Sequence, residues 1–196
     1  MPIILASTSP RRIELMSNAG LKVEVRKPDA DETPIRGEKP RALVRRLCLA
    51  KALSAAENRA VSKSEIVVAA DTIVVAPNGR QILGKPTSAR DAEKMLNALS
   101  GRWHTVLTGY CIWRHDKKLV RVVTSKVKMR KLTKAQIRFY IGTGEPMDKA
   151  GSYAAQGLGM ALVESIRGSY TNVVGLPMTQ LLADLEQRFD IPFFAR

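Results

Sequence analysis

Aromatic residues are scarce in this sequence and make up 5% of its 196 residues. Proteins that bind single-stranded nucleic acid stack bases on exposed aromatic rings, so the scarcity argues against a platform of that kind. There are only two cysteines, Cys48 and Cys111, and their spacing is not that of a metal site. We expect two buried thiols in a reducing compartment rather than a disulfide scaffold.

Long apolar runs are lacking as well. No run approaches the roughly 20 residues that a membrane-spanning helix needs. The N-terminal MPIILA is too short for the apolar core of a signal peptide, and the arginines follow it rather than precede it. The sequence therefore predicts a soluble, cytoplasmic protein with no membrane partner.

Acidic residues are also in short supply, because 18 Asp and Glu stand against 32 Lys and Arg, a formal net charge of +14. Such a surplus implies nucleic acids, nucleotides or anionic membranes as partners, or simply a solvated basic surface. Much of it lies in residues 114–138, where Asp116 is the only acid. A solvated basic surface is the simpler interpretation of that stretch.

One acid stands out because its surroundings are apolar. Residues 66–76 are small or β-branched apart from Asp71, a pattern typical of a strand buried on both faces of an α/β sheet. A buried carboxylate is costly unless a cation meets it, so Asp71 is a turn or cap residue, an acid paired with an arginine, or a functional group in a polar cleft. The strand resumes after Asp71 and leads to an Asn78-Gly79 hairpin turn, which favours the functional interpretation.

A polar cluster follows the first predicted strand. Ser7 and Ser9 precede a helix that is predicted to begin at Pro10, with Ser9 as its N-cap. Arg11 and Arg12 then fall in the first turn, where the helix macrodipole disfavours cations. An anion bound there by serines, arginines and backbone N–H groups would explain the placement; the alternative is two tolerated, solvated arginines.

Three more residues are candidates for a site. Lys51 falls on the apolar stripe of a helix predicted over residues 40–56 and either snorkels to solvent or reaches the anion site. Glu32 belongs to an acidic loop that could ligate a hard cation, although a plain polar loop is the simpler interpretation. Gln156 is the single amide of the glycine-rich segment 148–159 and suits the edge of a nucleobase, unless the glycines serve only turns.

Predicted strands and helices alternate along the chain, with hairpins among them. Strands are expected over residues 104–113 and 118–129, with His104 as a strand residue rather than a catalytic one. One helix is capped by Ser88 and another begins at Thr133. We predict an α/β fold with a mixed twisted sheet flanked by helices, two lobes around a central cleft, and a single domain over residues 1–196.

Eight short motifs occur in order along nearly the whole chain. They are LASTSPRR from position 5, ADT from 70, GKP from 84, LSG from 99, GEP from 144, DKAG from 148, QG from 156 and NVVGLP from 172. Together they resemble the Maf family of nucleoside triphosphate pyrophosphatases. The resemblance implies hydrolysis of a nucleoside triphosphate to monophosphate and pyrophosphate with Mg²⁺ or Mn²⁺, a fold similar to inosine triphosphate pyrophosphatases, and commonly a homodimer.

The resemblance also implies roles for particular residues. Asp71 matches the family's proposed proton acceptor. Arg11, Thr72 and Gln156 match the positions linked to substrate choice in the branch that acts on dTTP and UTP. A sister branch acting on 7-methyl-GTP usually lacks that Arg and has Glu in place of the Gln. The chain departs from the dTTP/UTP branch at residues 152–155, which read SYAA where that branch often has AYGI.

Residues and resemblance together give a mechanistic hypothesis. The triphosphate is expected at the N-terminus of the first helix, where its charge is met by Ser7, Ser9, Arg11, Arg12, Lys51 and Lys85. Asp71 and Glu32 are expected to hold the metal ion, which activates or positions a water for attack on the α-phosphorus; alternatively Asp71 takes the proton of the water directly. Modified pyrimidine nucleotides are further candidate substrates, whose removal would prevent misincorporation into nucleic acid.

Three rival functions remain open from the sequence. The chain could be a regulator of cell division that binds a nucleotide without turning it over, or a 7-methyl-GTP pyrophosphatase. It could also be an RNA-binding module that uses residues 114–138. The scarcity of aromatic residues counts against the last of these, and no stable nucleic-acid partner is expected.

Overall fold

The computed structural model describes residues 2–57, 62, 64–115 and 117–193. The strands are β1 (Ile3–Ala6), β2 (Val23–Arg26), β3 (Ile66–Val75), β4 (Ile82–Leu83), β5 (Trp103–Arg114), β6 (Lys117–Met129) and β7 (Val163–Arg167). The helices are α1 (Pro10–Asn18), α2 (Pro40–Glu57), α3 (Ala89–Leu99), α4 (Lys134–Gly142), α5 (Tyr170–Val174) and α6 (Met178–Phe189). Short 3₁₀ turns cover Glu145–Asp148, Ala150–Ser152 and Gly157–Leu162. Within these described ranges, every helix is too short or too polar to cross a lipid bilayer.

The strands form one mixed sheet. Its order is β2-β1-β3-β5-β6-β7, and β4 pairs with β3 outside this path. Strand β1 pairs in parallel with β2 and β3, so that Ile3 lies opposite both Val23 and Ile66. The pairs β3–β4 and β6–β7 are antiparallel. The predicted α/β class with a mixed sheet flanked by helices is confirmed.

The chain divides into two compact units. The first unit comprises Met1–Asp71, Thr108–Val123 and Gly175–Arg196, and the second comprises Thr72–Leu107 and Thr124–Val174. Two units agree with the two predicted lobes. The central cleft and the single domain stay predictions.

In the first unit, alternate strand residues face two different layers of helices. One hydrophobic cluster joins residues of α1 and α6 to Ile3, Leu5, Ile66, Val68 and Ala70. The other joins residues of α2 to Ile4, Ala6, Val67, Ala69 and Cys111. Both faces of these parallel strands are thereby covered, as such strands require.

Helix α2 packs very closely on its face of the sheet. A Cβ atom at Gly109 of β5 would lie 2.4 Å from the carbonyl oxygen of Val44, so only glycine fits there. Cys48 of α2 and Cys111 of β5 are buried free thiols in the same cluster, as predicted.

In the second unit, the predicted turn and caps are confirmed. Asn78 Oδ1 accepts hydrogen bonds from the backbone amides of Arg80 and Gln81, each at 3.0 Å, and Gly79 has a φ of +72°. Ser88 Oγ accepts from the third residue of α3 at 3.1 Å, and Thr133 Oγ1 does the same for α4 at 3.2 Å. These elements enclose a separate hydrophobic cluster between β3, β5, β6, α3 and α4.

The short helix α5 was not predicted. Its five residues carry no periodic pattern, and tertiary hydrogen bonds hold them in place. Asn172 is fully buried, and its Nδ2 donates to Ser125 Oγ at 3.0 Å and to the Val106 carbonyl at 3.3 Å. Such partners are distant in sequence, so no local pattern indicates them.

Candidate functional site

Asp71 and Lys51 form a buried ion pair. Asp71 lies within the unbroken strand β3 and continues the alternation that points Val67 and Ala69 towards α2. Lys51 Nζ of α2 lies 2.7 Å from Asp71 Oδ1, and each residue is only 7% exposed. Asp71 is therefore not a turn or cap residue, and its partner in this ion pair is a lysine rather than an arginine. The alternative that Lys51 snorkels to solvent is wrong.

The same ammonium group contacts a second carboxylate. Glu32 Oε2 lies 3.0 Å from Lys51 Nζ, and the Glu32 side chain is 58% exposed. The loop between β2 and α2 has no regular structure, as expected for a polar loop, but it turns this one acid towards the buried pair. A single lysine thus links a buried acid to an exposed one.

Ser7 and Arg12 lie at the end of β1 and the start of α1. Ser7 is 4% exposed, and its Oγ accepts hydrogen bonds from the Ser9 amide at 3.2 Å and from Arg12 Nη1 at 3.3 Å. Arg12 Nε donates to the Gly175 carbonyl at 2.9 Å. Ser9 occupies the N-cap position, as predicted, although its side chain makes no capping hydrogen bond.

Electrostatics connect Arg12 with the carboxylates. Burial lowers the pKa of Arg12, and so does the neighbouring Arg11, whereas the charges of Asp71 and Glu32 raise it. The guanidinium stays protonated, because arginine does not lose its proton in proteins. With Lys51, the cations outnumber the two carboxylates at a helix N-terminus, an arrangement that can bind an anion.

The side chains available as ligands decide whether a metal ion can bind at this site. Among the residues that the structure describes, no group of three or more His, Cys, Asp or Glu side chains could hold a metal ion. Mg²⁺ in phosphate-transfer sites usually takes one or two carboxylates and completes its shell with water and substrate phosphates. Asp71 and Glu32 supply that number of carboxylates and both contact Lys51 Nζ, and a metal ion held by this pair stays a prediction.

The other predicted site residues belong to the second unit. Thr72 is half-buried and follows Asp71 in β3, Lys85 is exposed after β4, and Gln156 is half-buried just before the last 3₁₀ turn. In the first unit, the structure brings together Ser7, Arg12, Glu32, Lys51 and Asp71, with Arg11 beside Arg12. The roles of the residues in the second unit stay predictions.

Sequence reasoning missed the contact that holds Tyr153, three residues before Gln156. His104 is a buried residue of β5, as predicted, and its Nε2 lies 2.7 Å from the Tyr153 hydroxyl. The two rings meet edge to face with centroids 5.2 Å apart. The inward position of His104 follows from the strand alternation with Val106, but its partner does not.

We expect the free energy of unfolding to fall as the pH drops from about 6.5 towards 4. Burial lowers the pKa of His104 from its ordinary 6.5 to about 4, so in this window the unfolded chain binds a proton that the folded chain does not. The stability contributed by neutral His104 is therefore fully present above pH 6.5 and is lost as the pH falls. The loss at pH 5 is about 2 kcal/mol. Urea unfolding at pH 7 and pH 5 measures the difference.

The matched variants are His104→Phe and Tyr153→Phe. The first removes the titrating group and should flatten the pH dependence, whereas the second keeps the histidine and should retain it. Equal stability of the unsubstituted protein at the two pH values would contradict the argument.

The fold is similar to that of a solved structure. The structure of the Ham1 protein of Staphylococcus aureus matches with a TM-score of 0.52 at 17% sequence identity, covering 83% of this chain and 80% of that one. The mixed sheet and its helices thus define an α/β protein with the fold of Ham1. At this identity the likeness concerns the fold alone.

Sequence comparisons identify the family. The family described as "Maf-like protein" matches residues 2–188. A dTTP/UTP pyrophosphatase of Anaeromyxobacter dehalogenans is 47% identical over 97% of this chain and 96% of its own length. One of Clostridioides difficile is 43% identical over 99% of this chain and 98% of its own length. The chain belongs to the Maf family.

Proposed function

We propose that this protein is a nucleoside triphosphate pyrophosphatase that hydrolyses dTTP and UTP to the monophosphate and pyrophosphate. The observation that carries the proposal is Asp71, a buried carboxylate held at 2.7 Å by Lys51 beside the cationic N-terminus of α1. Relatives named dTTP/UTP pyrophosphatase, aligned over nearly the full length of both chains, support the choice of substrate.

The triphosphate binds at the start of α1. Arg12 is already fixed there by Ser7 and the Gly175 carbonyl, so binding a phosphate costs it little side-chain entropy. Arg11 adds a second guanidinium from the same helical turn. Lys85, Thr72 and Gln156 keep the phosphate and base roles that the sequence predicts for them.

Asp71 receives the proton of the attacking water. The water oxygen bonds to the α-phosphorus, the bond from that phosphorus to its bridging oxygen breaks, and pyrophosphate leaves. Lys51 holds Asp71 in place through a 2.7 Å hydrogen bond, so that the carboxylate is oriented to accept the proton. A divalent cation, Mg²⁺ or Mn²⁺, held by Asp71 and Glu32 would offset the phosphate charge.

Pyrophosphate release from a panel of nucleotides tests the proposal. With Mg²⁺ present, we expect release from UTP and dTTP to exceed release from CTP, ITP and 7-methyl-GTP by at least about tenfold in kcat/KM, the scale of one differential contact to the base. Highest turnover of 7-methyl-GTP would move the protein to the sister branch. Tight nucleotide binding without any release would instead indicate a regulator that does not turn over its ligand.

Two further predictions concern location and assembly. We propose a cytoplasmic homodimer, on the basis of the sequence composition and the family resemblance. Light scattering on the purified protein gives its mass directly, and a value of 21.6 kDa would contradict the dimer.

A further inference from the structure

Glu145 binds the chain on the C-terminal side of Gln156. Its Oε2 accepts a hydrogen bond from the Leu158 amide at 2.9 Å, and its Oε1 accepts one from the Gly159 amide at 2.9 Å. Two consecutive backbone donors therefore converge on one carboxylate, two and three residues beyond Gln156.

Tyr140 extends this contact to the other side of Gln156. Its hydroxyl donates to Glu145 Oε1 at 2.9 Å and accepts from the Ala154 amide at 3.2 Å. The Tyr140–Glu145 pair therefore holds the backbone both before and after Gln156. We call this pair the loop clamp.

The loop fits against the clamp without spare room. Gly157 has a φ of +61°, and a Cβ atom there would lie 2.6 Å from Glu145 Oε2. A Cβ atom at Gly159 would lie 2.7 Å from the Tyr140 hydroxyl and 2.4 Å from the Ala154 carbonyl oxygen. Both glycines are therefore required by the clamp, which explains part of the glycine content of this segment.

The clamp depends on the negative charge of Glu145. Burial raises the pKa of this carboxyl, but the hydrogen bonds from Gly159, Tyr140 and Leu158 outweigh burial and leave the pKa below its ordinary value. An ionised carboxylate accepts at both oxygens. A glutamine would instead direct an NH₂ group at one of the N–H or O–H donors.

We propose that Glu145 is a positioning residue for base selection. Through the clamp it fixes the backbone on both sides of Gln156, so that the half-buried amide is presented to the nucleobase in one orientation. The inference rests on the proposed function, because it takes Gln156 as the residue that reads the base. Glu145 itself need not touch the substrate.

The test compares kcat/KM for UTP and CTP in Glu145→Gln. We expect the preference for UTP over CTP to fall on the order of tenfold, the effect of losing one hydrogen bond to a charged group, with a smaller change in kcat for UTP. Asp148→Asn is the matched control, because it removes an exposed carboxylate from the same 3₁₀ turn. It should keep the preference of the unsubstituted enzyme.

A double-mutant cycle separates positioning from a general structural role. If Glu145 acts through Gln156, the pair Glu145→Gln and Gln156→Ala should lose no more base preference than Gln156→Ala alone. Equal losses of kcat/KM for UTP and CTP would overturn the inference, as would additive losses of preference. Tyr140→Phe breaks the clamp without touching the carboxylate and should lower the preference in the same direction, should Glu145→Gln fold poorly.

The result for the unsubstituted protein separates a failure of the proposed function from a failure of the inference about Glu145. If it releases no pyrophosphate from any nucleotide, the proposed function falls and the inference falls with it. If it prefers UTP and a folded Glu145→Gln keeps that preference, the inference alone is overturned.

Discussion

Replacement of Asp71 by asparagine is expected to lower the rate of pyrophosphate release from UTP by about 10²–10³, the scale seen when one preorganised group is lost from a site. Asparagine has nearly the same shape, but it can neither take a proton from water nor carry the charge that a metal ion needs. The loss should persist at saturating Mg²⁺, and a steady-state pyrophosphate assay measures it.

Asp184→Asn is the matched control for this experiment. Asp184 is likewise buried, at 2% exposed, and accepts hydrogen bonds from the Tyr110 hydroxyl and from Arg121 at 2.8 Å. It lies on α6, whose residues Leu181 and Leu185 belong to the cluster on the face of the sheet away from α2. This variant should lose stability but keep its turnover, and near-full activity of Asp71→Asn would remove Asp71 from the mechanism.

Replacement of Lys51 by methionine is expected to lower the free energy of unfolding by about 3–5 kcal/mol, because it leaves a buried carboxylate without its partner. Methionine fills a similar volume and suits the apolar stripe of α2, so lost packing contributes little. Urea unfolding at pH 7 without metal ions measures the effect.

The double variant Lys51→Met/Asp71→Asn gives the decisive comparison. It replaces the ion pair by neutral groups and should recover most of the lost stability, since the unpaired charge is gone. If Lys51→Met alone is as stable as the unsubstituted protein, then water or Arg12 compensates the charge of Asp71 in place of Lys51. Activity should stay low in both variants.

Asp71 could be singled out from the sequence because the pattern that marks it, one acid inside an apolar run, is local. A carboxylate inside an apolar strand is costly to bury, so the sequence favoured a functional role for Asp71 over a turn, a cap or an ion pair with an arginine. The apolar stripe of α2 also placed Lys51 on the inner face, but sequence alone left open whether it reached Asp71 or solvent. The close approach of α2, permitted by Gly109, decides this in favour of Asp71.

Other contacts could not be predicted because they join residues far apart in the chain. The bonds from Gly159 to Glu145 and from Tyr153 to His104 span 14 and 49 residues. Glu145 appears in a motif shared with the family, yet no spacing in the sequence gives it a partner. The helix and strand bounds were predictable within a few residues, since periodicity and capping residues are local features.

The two buried thiols make helix α2 observable in solution. Burial raises the pKa of Cys48 and of Cys111 to about 12, so the reactive thiolate is almost absent from the folded protein near neutral pH. Cys48 lies one turn before Lys51 on the same helix. The rate at which a thiol reagent modifies Cys48 therefore reports how often helix α2, which carries Lys51, detaches from the sheet.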